Sequence, residues 1–166
     1  MILELKPLSR EAIPAALAKA ERYRLLKEPW QAESICQDVL RIDPGNQTAL
    51  VTLLLALTDQ FEDGIRLEEA HATVSRLNGE YERAYYSGVI RERKARAVLR
   101  QGHHGSRSSA FEWIRQAMEW YEKAEKIRPP ANDDALLRWN TCARTLARYP
   151  HLEPLEEPRA EPILSE

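Results

Sequence analysis

The sequence predicts an all-α chain assembled from repeated helical hairpins, and two observations lead there. Residues 32–44, AESICQDVLRIDP, and 117–129, AMEWYEKAEKIRP, share one pattern. Ala32, Cys36, Val39, Ile42 and Pro44 match Ala117, Tyr121, Ala124, Ile127 and Pro129 at offsets of 0, 4, 7, 10 and 12. Offsets of 4 and 7 lie on one face of a helix with 3.6 residues per turn. A proline then ends it by disfavouring helical angles at the residue before. Second, Ala20, Leu54 and Gly88 stand 34 residues apart in stretches that carry the same helical period.

The first helix is expected in AIPAALAKAERYRLLKEP, with Ala16, Ala20 and Tyr23 on one face, where small residues let a second helix approach closely. That second helix carries Ala32. The next pair contains Leu54 and then Ala70, Val74 and Leu77, which fall four residues later than in the first pair, with Gly79 in place of the closing proline. This makes the second repeat the expected site of a bend. In the third pair, 29 residues separate Gly88 from Ala117 where 12 separate Ala20 from Ala32. The helical pattern runs to Gln101 and resumes near Ser109, so both helices should overshoot by about two turns, roughly 12 Å. The loop GHHGSRSS should join them. A lone closing helix follows in NDDALLRWNTCARTLARY. Asn132 or Asp133 is its N-cap, and Leu136, Trp139, Asn140 and Ala143 share one face.

The spacing of 34, the small residues and the wording ERAYYSGVI around Gly88 resemble the tetratricopeptide repeat family over roughly residues 11 to 149. Two positions depart from it: Lys19 replaces a large apolar residue, and Leu54 is bulky. The resemblance implies a right-handed superhelix of about three repeats plus the closing helix, spanning residues 1–150, with residues 151–166 as an acidic, proline-rich extended tail. It also implies a groove lined by the first helices of the pairs. The family's groove positions fall on Leu17 and Glu21, then Val51, Thr52 and Leu55, then Tyr85, Tyr86 and Val89, and finally Leu137, Arg138 and Thr141. Two readings stay open: these side chains form an apolar and aromatic stripe for a peptide segment of a partner, or half of them are core. One branch of the family grips carboxyl termini with lysine, asparagine and arginine. Here the matching places hold Leu17, Glu21, Thr52, Glu82 and Tyr86, so that clamp is excluded.

Function classes narrow further. Formal net charge is −2, which gives no global field toward nucleic acid or membrane. The opening MILELKPLSR lacks the apolar stretch of a secretory signal, and ALVTLLLAL is too short to span a bilayer, so no membrane insertion is expected. Cys36 and Cys142 lack metal spacing and sit in helical patterns, pointing to a reduced, cytoplasmic setting. His103 and His104 are adjacent, a poor arrangement for one ion. No phosphate loop or nucleophile elbow occurs, so neither enzyme activity nor a cofactor is expected.

Residues 91–107 carry Arg91, Arg93, Lys94, Arg96, Arg100 and Arg107 against one acidic residue. This basic hairpin is either an anionic docking site or a solvated helix. Phosphate attraction alone lacks specificity, and no stacking motif accompanies it, which leaves nucleic acid the weakest partner class. In the tail, prolines at 150, 154, 158 and 162 favour extended backbone, and from Leu152 onward five glutamates face one arginine. Leu152, Leu155, Ile163 and Leu164 add apolar anchors. The segment suits either a solubilising role or docking on its own or a neighbouring molecule, against the basic hairpin. The leading expectation is a non-enzymatic adaptor or scaffold binding a peptide segment. Self-association into a homo-oligomer through the repeat ends or the tail is the alternative.

Overall fold

The computed structural model describes residues 3–63 and 66–154, and these contain seven α-helices and no strand. They are α1 (Ile13–Leu25), α2 (Pro29–Ile42), α3 (Gln47–Thr58), α4 (Leu67–Ser75), α5 (Glu80–Gln101), α6 (Ser106–Lys126) and α7 (Asp134–Arg148). Two single-turn 3-10 helices, Arg10–Ala12 and Phe61–Asp63, stand before α1 and after α3. Each α-helix packs on the next along the chain, and α1 also touches α3, which in turn touches α5. Three hairpins in a row with a seventh helix on α6 is the expected element order.

The repeated residues do what their spacing requires. Ala32, Cys36 and Val39 on α2, and Ala117, Tyr121 and Ala124 on α6, are all buried. Ile127 is more exposed than its repeat partner Ile42, because α6 stops at Lys126. Ala20, Leu54 and Gly88 are buried as well. Gly88 has a steric reason. A Cβ there would lie 2.5 Å from Cε1 and 2.7 Å from Cδ1 of Tyr121, so only glycine lets α5 and α6 meet at this height. The α1–α2 turn uses Lys27 in the left-handed region (φ 62°), with Glu28 N–H reaching back to the Tyr23 carbonyl at 2.9 Å. Asn46 caps α3 by accepting from the Ala49 N–H at 2.9 Å.

Several expectations need correction. The second helix of the middle pair, α4, has only nine residues, and Gly79 is not its terminator but the N-cap of α5. The long hairpin is confirmed in length, α5 having 22 residues and α6 21, yet it does not stand free. Ala97 and Phe61 belong to one core cluster, so the 3-10 turn after α3 supports the far half of α5. The connecting loop is shorter than GHHGSRSS. The Gly102 and Gly105 backbones turn left-handed (φ 65° and 83°), and helix resumes at Ser106, which is buried. At α7, Asp133 holds the N-cap position while the Asn132 side chain accepts from the Asp134 N–H. Its packed seam runs through Ala135, Trp139, Cys142, Ala143 and Leu146, which includes Trp139 and Ala143 of the expected face but not Leu136 and Asn140. Past the end of α7, Leu152 is 4 % exposed and packs into the same cluster. The tail beyond Pro154 lies outside the described residues.

Candidate peptide-docking surface

Of the positions expected to line a groove, some are core and the others keep part of their surface. Leu17, Thr52 and Val89 are buried at 9, 3 and 1 % exposure, because α1, α3 and α5 lie against one another and these positions face the neighbouring helix. Val51 and Leu55 are half-buried against the two core clusters. Tyr85 and Tyr86 are half-buried in an aromatic knot rather than presented to a guest. Tyr85 stacks on Tyr81 at 5.9 Å between centroids and meets Tyr86 edge-on at 5.1 Å and Tyr121 at 6.0 Å. Burial pushes the Tyr86 phenol up to about 12, with the neighbouring Tyr85 and Glu82 acting in the same direction. Glu21, Leu137 and Thr141 are exposed, and Arg138 is half-buried.

The basic hairpin does not present its cations together either. The Arg91 guanidinium lies over the Trp120 ring, 5.1 Å from its centroid, and Lys123 lies over the same ring at 4.2 Å. Arg93 is bonded to Asp59 and to Thr58 Oγ1 (2.8 Å) on α3 and its C-terminal turn. Burial lowers the affinity of Arg93 for its proton and the Asp59 carboxylate opposes that; a guanidinium stays charged regardless. Asp59 also takes Arg24 of α1 at 2.8 Å, so one carboxylate ties three successive first helices. Arg100 pairs with Glu62. Lys94 is half-buried and Arg107 is exposed on α6, beyond the loop.

The residue that organises this region is Glu92, the one acid in the basic stretch. It is 4 % exposed. Its carboxylate accepts from Tyr121 Oη at 2.7 Å, from Arg96 at 2.6 Å and from Arg138 at 3.2 Å, joining α5, α6 and α7. Burial and the adjacent carboxylate both push the Tyr121 phenol far up, so it remains a donor. Burial works against the Arg138 charge, but Glu92 together with Tyr85 and Tyr121 more than offsets it and the net shift is upward. A buried carboxylate with three donors is fully satisfied, as the low-dielectric interior demands. Its signal in the sequence was its isolation among arginines.

What remains open is an arginine-lined cleft of about 690 Å³ between the far half of α5 and α7. Arg96 and Arg100 form one wall. Arg144 and Arg148 form the other with Thr141 and Thr145, and Leu99 and Tyr149 complete it. On the other side of α5, Arg93, Arg96 and Arg100 with Asp59 and Glu62 bound a smaller hollow of about 200 Å³. Among the described residues, Arg144 and Arg148 have no carboxylate within ion-pair distance. The sequence signal for this wall is the spacing 141, 144, 145, 148, one polar face of the closing helix. Arg100 and Arg148 sit in the last turns of their helices, where backbone carbonyls favour cations. That accounts for part of the charge, but not for the convergence of two helices' arginines on one cleft.

Among the described residues no helix is long and apolar enough to cross a membrane. No protein-family model, curated protein or solved structure matches the chain significantly.

Proposed function

We propose that this chain is a non-enzymatic scaffold of tetratricopeptide-like hairpins that captures an acidic, extended segment of another protein in the α5–α7 cleft. The observation that carries the reading is the pairing of Arg144 and Arg148 with Arg96 and Arg100 across one open cleft. Guanidinium groups match carboxylates in two-point geometry, and the threonine hydroxyls supply further polar contacts. This replaces an apolar groove by a cationic one and keeps the peptide as ligand. Arg96 and Arg100 already meet Glu92 and Glu62, so Arg144 and Arg148 carry most of the available charge. Nucleic acid fits less well, because a formal net charge of −2 supplies no field toward a long polyanion.

A fluorescein-labelled peptide of repeating Glu-Glu-Pro-Leu tests the proposal by anisotropy. Exposed ion pairs contribute about 0–1 kcal/mol each, so four arginines should give a weak affinity, with a Kd on the order of 1 mM at low salt. Reversal of both Arg144 and Arg148 to glutamate should abolish binding. Equal binding by wild type and the double variant would overturn the proposal. Self-association is a second reading with its own observation: Leu25, Leu26 and Trp30 around the α1–α2 turn are 85, 61 and 57 % exposed. Light scattering across a concentration series tests it, and a persistent monomer removes it.

A further inference from the structure

We infer that the α5–α7 cleft reads more than charge: a pit in its floor takes one aliphatic side chain of the bound segment, whose acidic residues stand one and three positions from it. The inference rests on the peptide-binding reading above and names the sequence that the cleft selects.

The pit is a hollow of about 40 Å³ walled by Ala95 and Leu99 of α5, Ile114 of α6, and Thr141, Cys142 and Thr145 of α7. It opens off the cleft, because Arg96, Leu99, Thr141 and Thr145 border both. It also lies deeper: Ala95, Ile114 and Cys142 are 1, 3 and 2 % exposed, whereas Arg144 and Arg148 stand in solvent. One water needs about 10–15 Å³ of such space, so the pit admits about three non-hydrogen atoms. That suits the branched end of valine, leucine or isoleucine. A phenyl or indole ring is too large for it.

The polar groups around the pit favour an apolar occupant. Glu92 borders it, with both carboxylate oxygens taken by Tyr121, Arg96 and Arg138. An entering carboxylate would face that negative charge, while Arg96, the cation bordering the pit, is already bonded to it at 2.6 Å. The Thr141 and Thr145 hydroxyls donate to the Leu137 and Thr141 carbonyls at 3.0 and 2.8 Å. Their oxygens are left as acceptors for the backbone N–H groups of an extended segment. The spacing of the acids follows from the helix. From the level of Cys142 in the pit, Arg144 and Arg148 lie about 3 and 9 Å further along α7. An extended segment rises about 3.3 Å per residue, so carboxylates one and three positions from the buried side chain reach the two arginines. Burying that side chain strengthens binding about tenfold.

The experiment titrates the full chain into three fluorescein-labelled peptides and reads anisotropy at low salt. The first is Gly-Ser-Glu-Ser-Glu-Leu-Glu-Ser-Glu-Ser-Gly, which carries the acids on both sides and so fits either chain direction. The others replace its leucine with alanine or tryptophan. The alanine peptide should bind with a Kd on the order of 1 mM and the leucine peptide about tenfold more tightly. The tryptophan peptide should gain nothing over alanine. Two variants, each shown to be folded by its urea transition, change the pit in opposite senses. Ala95→Val fills it and should bring the leucine-to-alanine ratio from about ten to about one. Leu99→Ala enlarges it and should let the tryptophan peptide overtake the alanine one. Equal binding of the leucine and alanine peptides by the wild-type chain would overturn the inference and leave the acidic-segment reading standing. So would tightest binding of the tryptophan peptide, or a leucine preference that neither variant alters. Binding of all three peptides that survives Arg144→Glu with Arg148→Glu, or binding of none by the wild-type chain, would remove both readings.

Discussion

Replacing Gly88 with alanine tests the close approach of α5 and α6. The added methyl would stand 2.5, 2.7 and 3.0 Å from three ring carbons of Tyr121, where unstrained carbon contacts need about 3.5–4.0 Å. The ring must therefore retreat by about 1 Å. It has little room, being fully buried with its hydroxyl bound to Glu92 at 2.7 Å. Overpacking of this kind costs about 1–3 kcal/mol. Losing a hydrogen bond to a carboxylate would add about 1.5–3 kcal/mol. Against these stands the better helix propensity of alanine, worth about 1 kcal/mol. The expected net loss is about 1.5–5 kcal/mol. Urea unfolding followed by circular dichroism at 222 nm and by tryptophan fluorescence measures it. Gly45→Ala is the control: a methyl there meets nothing within 4 Å, and stability should stay within about 0.5 kcal/mol. A second check combines Gly88→Ala with Tyr121→Leu, where the shorter side chain should remove at least about 1 kcal/mol of the alanine penalty. An unchanged or raised stability of Gly88→Ala would refute the reasoning, as would a penalty undiminished beside Leu at 121.

Two further outcomes follow from the buried polar groups. Glu92→Ala strands the Tyr121 hydroxyl and two arginines, while Arg138 and Arg96 keep enough water contact to recover part of their solvation. The expected loss is about 2–3 kcal/mol, below the 3–5 typical of a fully buried pair, with Glu92→Gln losing less because it retains an acceptor; urea midpoints decide this. Burial pushes both thiols, Cys36 and Cys142, from 9.0 up to about 12. Ellman's reagent at pH 8 should leave both unreacted in the native state and react at once in urea. The shift also has a pH consequence. Folded values above unfolded ones mean stability that is intact below pH 9 and lost as pH rises toward 12, so Cys→Ala variants should show a shallower alkaline decline.

The helical frame was legible because its cause is local. Offsets of 4 and 7 ending in proline specify a buried face and a stop, and Ala32, Cys36, Val39, Ala117, Tyr121 and Ala124 obey them. The groove was less legible. Whether Thr52 or Val89 faces solvent depends on how closely neighbouring hairpins approach, which is set by contacts between distant residues. The face of α7 was half legible, Trp139 and Ala143 packing as expected and Leu136 and Asn140 not, for a related reason. Leu136 and Ala135 are both apolar, and packing on α6 rather than the local pattern chooses the smaller one. Ser106 was assigned to a loop from composition, although two left-handed glycines suffice to turn the chain.

The arginines show a regularity between hairpins that no local motif carries. Arg24 and Asp59 are 35 residues apart, Arg93 and Asp59 34, and Arg66 and Glu33 33, each close to one repeat length. Ion pairs between successive hairpins thus recur with the period of the hairpins. An arginine on one hairpin finds its acid on an adjacent one. On α7, Arg138 reaches Glu92 of α5, while Arg144 and Arg148 line the cleft with no carboxylate to meet among the described residues. The two are exposed, so the same residue type that ties one helix to another inside the series is left open to solvent on its closing helix.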